Sequence, residues 1–414
     1  MNTSLLRNAR LTDGRVVDVR VADGLIASVD AAGSATADAD VVHDLDGLLL
    51  LPAPAEPHAH LDKAYTADRV PNPTGDLLGA ILAWRSSYGM LTVEDIAARA
   101  ERAALASLAN GLTAIRTHVD LGPDIGLRAI EALVGVRDRL ADLVNIQIVA
   151  LTAPPVTGLA GADQRARLRD ALDLGADAIG GAPYLDPEPR AAHAELIELA
   201  MARGKPIDLH TDETLEADVL TLVDYAEIIT SSGGSIGAAA SHCVSLGVQP
   251  AKAQAAVADA VARAGVSVIT LPQTNLFLQS RGVPTAAARG LTAISALRAA
   301  GVNVAGGADN LQDPFNTVGR ADPMETAALL VMAGHLDPMV AYELVTSAAR
   351  IAMGLPPVSI AAGAPAELIA VDALNTREAI ASAPGTRIVF HNGRLVARTT
   401  HTVEIAGVHA SDVR

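Results

Sequence analysis

The chain has 414 residues, half of them hydrophobic and 19% charged, which is enough apolar side chain for a sizeable core and too little charge for a disordered polymer. Thirty-one Lys and Arg against 47 Asp and Glu leave a formal net charge of −16. That balance excludes a general binder of nucleic acid or of anionic membrane, because phosphate attraction needs clustered positive charge. A single cysteine, Cys243, excludes an internal disulfide framework and a Cys-only zinc site. No apolar run reaches the ~18–20 residues of a membrane span. The start, Met1-Asn2-Thr3-Ser4 with Arg7 and Arg10 close by, has no signal-peptide apolar stretch, so a cytoplasmic location is expected.

In chain order, residues 16–21 and 25–29 read as β-branched strands separated by the turn pair Asp23-Gly24. The far end echoes them: Glu367-Leu368-Ile369-Ala370-Val371, Arg387-Ile388-Val389-Phe390, then Leu395-Val396 after Asn392-Gly393, a strong hairpin signal because both turn residues tolerate positive φ. Residues 1–50 plus 356–414 are therefore expected to form one composite β-sandwich domain. Between them, residues 51–355 alternate short apolar runs with Ala/Leu/Arg/Glu-rich helical stretches. Strands are predicted near 48–60, 113–120, 145–152, 177–184, 206–212, 236–243, 266–273 and 302–309. Helices are predicted at 93–109, with Thr92 as N-cap and Gly111 just past its end, and at 125–142. Eight such alternations predict a (β/α)8 TIM-like barrel of the α/β class, and no G-x-G-x-x-G follows the first strand to favour a dinucleotide fold.

Active sites of such barrels lie at the C-terminal ends of the strands. Five of the eleven histidines fall there: His58 and His60, His118, His210, and His242. His58 and His60, at i and i+2, point to one face of a strand. With His210 and Asp309 they compose a donor set for one divalent transition metal, Zn2+ or Fe2+, with a position left for water. Such an ion lowers the pKa of water from about 15.7 toward ~7. Asp309 is a candidate acceptor for that water's proton. Glu213, three residues after His210, is a candidate to carry a proton to the substrate nitrogen. His242 is a candidate to orient the attacking water or stabilise developing charge. His43, His193, His335, His391, His401 and His409 lie away from strand ends and read as ordinary, and Cys243 reads as packing.

The ordered set Glu56-Pro57-His58-Ala59-His60-Leu61-Asp62, Arg116-Thr117-His118-Val119-Asp120, His210-Thr211-Asp212-Glu213, Ala240-Ser241-His242 and Ala308-Asp309-Asn310 resembles the amidohydrolase superfamily, nearest the cytosine deaminase and isopropylammelide hydrolase branch. The resemblance implies a mononuclear site held by His58, His60, His210 and Asp309, with Glu213 as proton shuttle and His242 beside the attacking water. Arg116, His118 and Asp120 match a family segment in which support and catalysis are not separable. Binuclear relatives bridge their metals through a lysine or carboxylate closing strand 3 or 4. Lys63, Lys205 and Lys252 are the only lysines, and none closes those strands.

The departures from the branch concern the substrate. Ala153 aligns with a glutamine that reads the amide edge of the pyrimidine, and Gln147, on the strand itself, cannot replace it. Asn310 stands where cytosine deaminases carry a second aspartate, Phe315 stands at a position usually Trp, and Phe277 replaces a polar residue. Gln279 and Arg281 match a Leu-Gln-x-Arg stretch of the family, with a pocket role and a structural role both open. A pocket more apolar than a cytosine site is expected, with Trp84, Tyr88 and Tyr65 as candidate aromatic cover. The expected activity is hydrolysis of a non-peptide C–N bond, deaminating a small nitrogen heterocycle or removing an amine from it. Cyclic or acyclic amide hydrolysis at the same site, and a catalytically silent ligand-binding barrel, are the alternatives. A homo-oligomer is expected from the Ala-rich helices and the family's habit.

Overall fold

Residues 48–60, read as one strand, are two, because Pro52-Ala53-Pro54 interrupts the ladder with a proline that has no N–H to donate. Leu49–Pro52 joins a sheet built from the chain ends, and Ala55–Ala59 begins the barrel. A computed structural model describes residues 3–34, 39–233 and 236–406, so His409 lies outside the described residues. The chain divides into two compact units, one of Met1–Ala53, Leu108–Gly111 and Val358–Arg414 and the other of Pro54–Ser107 and Leu112–Pro357.

In the first unit an eight-stranded sheet runs in the order Arg394–Thr399, Arg387–His391, Leu368–Val371, Leu49–Pro52, Thr3–Arg10, Val16–Ala22, Leu25–Ala31, with Val41–Asp44 pairing beside Thr3–Arg10. The two chain ends meet where Leu51 pairs with Ile369 and Leu50 with Ala370. Alternation sends Leu6, Val17, Val19, Val21, Leu50, Leu368, Ile388 and Phe390 into one buried cluster.

The second unit is a parallel barrel of β1 (Ala55–Ala59), β2 (Ala114–Leu121), β3 (Asn145–Thr152), β4 (Ala178–Gly181), β5 (Ile207–Thr211), β6 (Ala238–His242), β7 (Ser267–Thr270) and β8 (Val304–Gly306), paired in sequence order. The expected α/β barrel is present, with each strand within a few residues of its predicted place. After β7, Pro272, whose missing N–H suits a first helical turn, opens the helix Pro272–Leu278 and ends the strand three residues early. Among the helices, α1 (Leu77–Ser87) follows β1 and α2 (Val93–Ala109) precedes β2, with Thr92 Oγ1 accepting from Asp95 N–H at 3.2 Å. No helix among the described residues is long and apolar enough to cross a membrane.

The first and last strands of the barrel meet at their C-terminal ends. Asp309 N–H donates to His58 C=O at 3.0 Å, bridging the end of β1 to the third residue after β8. Buried Glu56 braces this seam, accepting from His58 N–H at 3.1 Å and Ala308 N–H at 2.9 Å. Burial pushes its carboxyl up to about 8 against the pull of those two donors. A Cβ at Gly307 would stand 2.5 Å from Glu56 Oε1. Gly307→Ala should therefore destabilise the protein by about 1–3 kcal/mol in urea unfolding. An unchanged midpoint would mean that Glu56 can leave the seam at no cost.

Candidate functional site

The strand ends converge on a small volume. His58 Nε2 lies 3.5 Å and His60 Nε2 3.3 Å from Asp309 Oδ1, and His210 Nε2 lies 3.3 Å from His60 Nε2. His242 Nε2 approaches Asp309 Oδ2 at 4.0 Å. The groups His58–His60–His210 and His58–His242–Asp309 each offer donor atoms within 4.8 Å of one another. All five residues are buried.

Backbone conformation aims these side chains. The β1–β2 register slips between Glu56 and Ala59, an irregularity that turns Pro57-His58 out of the regular ladder. His242 (φ 69°), Cys243 (φ 49°) and Asp309 (φ 68°) are left-handed. Non-glycine residues cost roughly 1–3 kcal/mol each there and persist only where the surroundings dictate them.

A hydrogen-bond relay fixes the His58 tautomer. Ser241 Oγ donates to Asp208 Oδ1 at 3.1 Å and so accepts from His58 Nδ1 at 2.8 Å, leaving the His58 Nε2 lone pair facing Asp309. His60 Nδ1 lies 3.1 Å from both the His118 carbonyl, an acceptor, and the Lys63 ammonium, a donor, contacts that position the ring without assigning its tautomer. Burial, then the neighbouring imidazoles, push His58 and His210 well below the ordinary histidine range, so both stay neutral. His58 Nε2, His242 Nε2 and both Asp309 carboxylate oxygens are buried without a hydrogen-bond partner. Unpartnered buried acceptors crowded around one point are costly unless a cation satisfies them. The donor set fits a divalent transition metal.

Around this point opens a cavity of about 100 Å³. His60, His210, Glu213, His242, Asp309, Asn310, Phe315 and Ala153 all line it. Glu213 Oε1 is 3.5 Å from His242 Nδ1, whose hydrogen-bond partner is Asn275 Oδ1 at 3.0 Å. Burial, then the Asp309 charge, push the Glu213 carboxyl well above the carboxylate range, so it holds a proton. Asn310 is held by Asp313, which accepts from its Nδ2 at 2.8 Å.

Two residues expected at the pocket do not line it. Phe277 lies under the Arg281 guanidinium, 4.5 Å from ring to charge, and Gln279 Nε2 reaches the Glu213 backbone carbonyl at 3.3 Å. From the helix Pro272–Leu278 it is Asn275 that reaches the site residues, through its hydrogen bond to His242. Tyr65 stacks with Arg102 away from the cavity, and Cys243 Sγ meets only backbone carbonyls, at 3.8 and 3.9 Å. Arg116 donates to Asp208 and Gln147, which makes it support for the Ser241–His58 relay. His118 packs its ring 3.9 Å from that of His58.

Lys63 is a wall of the cavity. The turn after β1 folds it back three residues from His60, and its Nζ lies 2.9 Å from Asp120 Oδ1 and 3.6 Å from Asp62 Oδ2. Asp120 Oδ2 also accepts from Trp84 Nε1 at 2.6 Å and Tyr88 Oη at 2.8 Å. Burial would raise the Asp120 carboxyl, but the Lys63 ammonium, His60 and the Tyr88 hydroxyl together outweigh it and hold Asp120 below its ordinary value. Lys63 itself is held high by Asp120 and Asp62 against its burial. The sequence signal for this cluster is spacing: Trp84 and Tyr88 are four apart, one turn along α1 and the 3-10 turn that continues it.

Residues 73–397 match the profile of the Amidohydrolase family. The chain belongs to the amidohydrolase family. It is a hydrolase, and members of the family use a divalent metal, which the histidine–aspartate cluster fits. The chain is 36% identical over 390 residues, 92% of its length and 88% of the relative's, to a pterin deaminase of Rhizobium rhizogenes. The fold superposes on a 5-methylcytosine deaminase from Klebsiella pneumoniae with a TM-score of 0.86 at 27% identity, covering 97% of this chain and 99% of that one. An N-isopropylammelide isopropylaminohydrolase from Burkholderia multivorans gives a TM-score of 0.82 at 30% identity, covering 96% and 99%.

Trp84 is the amidohydrolase's single tryptophan, and it stands in the cavity wall. An aromatic ligand entering the cavity should change its emission in a fluorescence titration, because ring contact and loss of water both alter indole fluorescence. A ligand that is turned over with no change in emission would place binding elsewhere.

Proposed function

We propose that this amidohydrolase removes an amino group from a nitrogen heterocycle by hydrolysis, using a single Zn2+ or Fe2+ held by His58, His60, His210 and Asp309. The observation that carries the reading is the convergence of the neutral His58 and His210 imidazoles and the unpartnered Asp309 oxygens beside a cavity that also contains a protonated Glu213. Bound there, the ion supplies Lewis acidity, lowering the pKa of water from about 15.7 toward ~7. The chain's own groups do the rest. Asp309 Oδ2, unpartnered and facing His242, takes up a proton as water attacks the amino-bearing ring carbon. Glu213, buried and protonated, delivers a proton to the departing nitrogen so that ammonia rather than amide anion leaves. His242, oriented by Asn275, stabilises charge at the reacting carbon.

A fused ring suits the cavity. Ala153 gives no side-chain hydrogen bond to a pyrimidine amide edge, and Leu121, Leu151, Pro154 and Phe315 make the wall apolar. The 36% identical relative is a pterin deaminase, and pterins head the substrates to be tried.

Ammonia release from aminopyrimidines, pterins and aminotriazines, set beside ring opening of lactams, tests the reading. Turnover of an amino-heterocycle is expected, and Glu213→Gln should lower kcat by about 10²–10⁴-fold with bound metal retained. Lactam turnover alone would move the chemistry to amide hydrolysis. Binding without turnover, unaltered by Glu213→Gln, would leave a ligand-binding barrel.

A further inference from the structure

The turn after β1 puts a buried cation in the cavity wall. Lys63 is 3% exposed, and its Nζ lies 5.7 Å from the centre of the Trp84 ring and 6.0 Å from that of Phe315, both also in the wall. An ammonium out of water needs acceptors for three hydrogens. Asp120 Oδ1, at 2.9 Å, takes one. Asp62 Oδ2, at 3.6 Å, is beyond hydrogen-bond reach, and its Oδ1 is buried without a partner. The remaining neighbour is His60 Nδ1 at 3.1 Å. With the proposed ion on His60 Nε2, Nδ1 carries the ring hydrogen, which the His118 carbonyl accepts at 3.1 Å, so that nitrogen offers Lys63 no lone pair. The other ammonium hydrogens then have no hydrogen-bond acceptor among the described residues.

The surroundings say what such an acceptor is. Asp120 already matches the charge of Lys63, so a further anion gains less here than a neutral oxygen that accepts strongly. Asp120 is itself fixed, because its second oxygen accepts from Trp84 Nε1 and Tyr88 Oη, and Lys63 is thereby held beside the indole. A planar ring lying against Trp84 and Phe315 presents its edge to Nζ. One imidazole separates Lys63 from the reaction point: His60 Nδ1 faces Nζ, and its Nε2 faces Asp309 Oδ1 at 3.3 Å. The acceptor therefore belongs to the ring that carries the departing amine. Ala153, across the cavity, offers no side-chain donor for the same purpose.

We propose that Lys63 is a specificity-determining residue whose ammonium donates to an oxo group on the ring under attack, selecting amino-oxo heterocycles over amino-heterocycles without that oxygen. This rests on the heterocycle-hydrolase reading and adds which edge of the ring is read.

The test compares 2-amino-4-oxopteridine with 2-amino-4-methylpteridine on the metal-loaded protein, each ring carrying one amine. In Lys63→Met the ratio of kcat/KM for the oxo over the methyl ring should fall about 10–100-fold, the worth of a hydrogen bond to a charged donor. Lys63→Met/Asp120→Asn, which leaves no unpaired carboxylate, should show the same fall. A structural role for Lys63 would lower both rings together and leave the ratio unaltered, which overturns the proposal. If neither variant folds, the wild type decides: Trp84 emission should report tighter binding of the oxo ring, and equal affinity for the two overturns it. If the wild type turns over neither ring, the hydrolase reading has failed, yet the emission titration still compares their affinities. An equal loss for both rings in Lys63→Met would then overturn the role of Lys63.

Discussion

The barrel is closed by the hydrogen bond from Asp309 N–H to His58 C=O, and the two residues that make this seam aim their side chains at one another. A close approach of β1 and β8 therefore sets the spacing of the site. Glu56 holds both sides of the seam through two backbone N–H groups, and the left-handed backbone at Asp309 directs its carboxylate inward. Without a cation, Asp309 oxygens and imidazole nitrogens would be buried acceptors with nothing to accept from, an arrangement that folding alone does not reward. The strain and the unmet acceptors are explained together if the barrel is built around an ion.

Outside that point the site is layered. Ser241, Asp208 and Arg116 form a relay behind His58, the His118 carbonyl orients His60, and Asn275 orients His242. Such outer partners fix which nitrogen of each ring faces the ion. On the cavity side Lys63 is paired with Asp120, and burial pushes the Glu213 carboxyl up. The result is a largely apolar pocket with polar groups at its ends.

The barrel and its donor set were legible because both depend on local pattern. Strand runs separated by helical periods gave the eight strands, and histidines closing β1, β5 and β6 pointed to the same end of the barrel. The break at Pro52-Ala53-Pro54 was visible in principle, since proline cannot donate to a ladder, but the continuous apolar run masked it. Lys63 and Asn275 were not legible, because their placement depends on a tight turn and a helix after β7 that the sequence pattern did not fix. Phe277 and Gln279 were misplaced for the same reason: the short helix Pro272–Leu278 rotates them off the cavity wall. Ala153, in contrast, follows β3 directly and lines the cavity where the strand register put it.

In the proposed mechanism the chemistry of the site turns on one ion held where β1 and β8 meet. Elemental analysis of the purified protein, with X-ray absorption on whichever metal is found, measures this directly. About one Zn or Fe per chain in a nitrogen- and oxygen-only shell, lost in His58→Ala and Asp309→Ala variants that remain folded, is the predicted result. A folded protein that takes up no divalent metal after growth in supplemented medium would contradict the account, and two ions per chain would show that a bridging ligand had been overlooked.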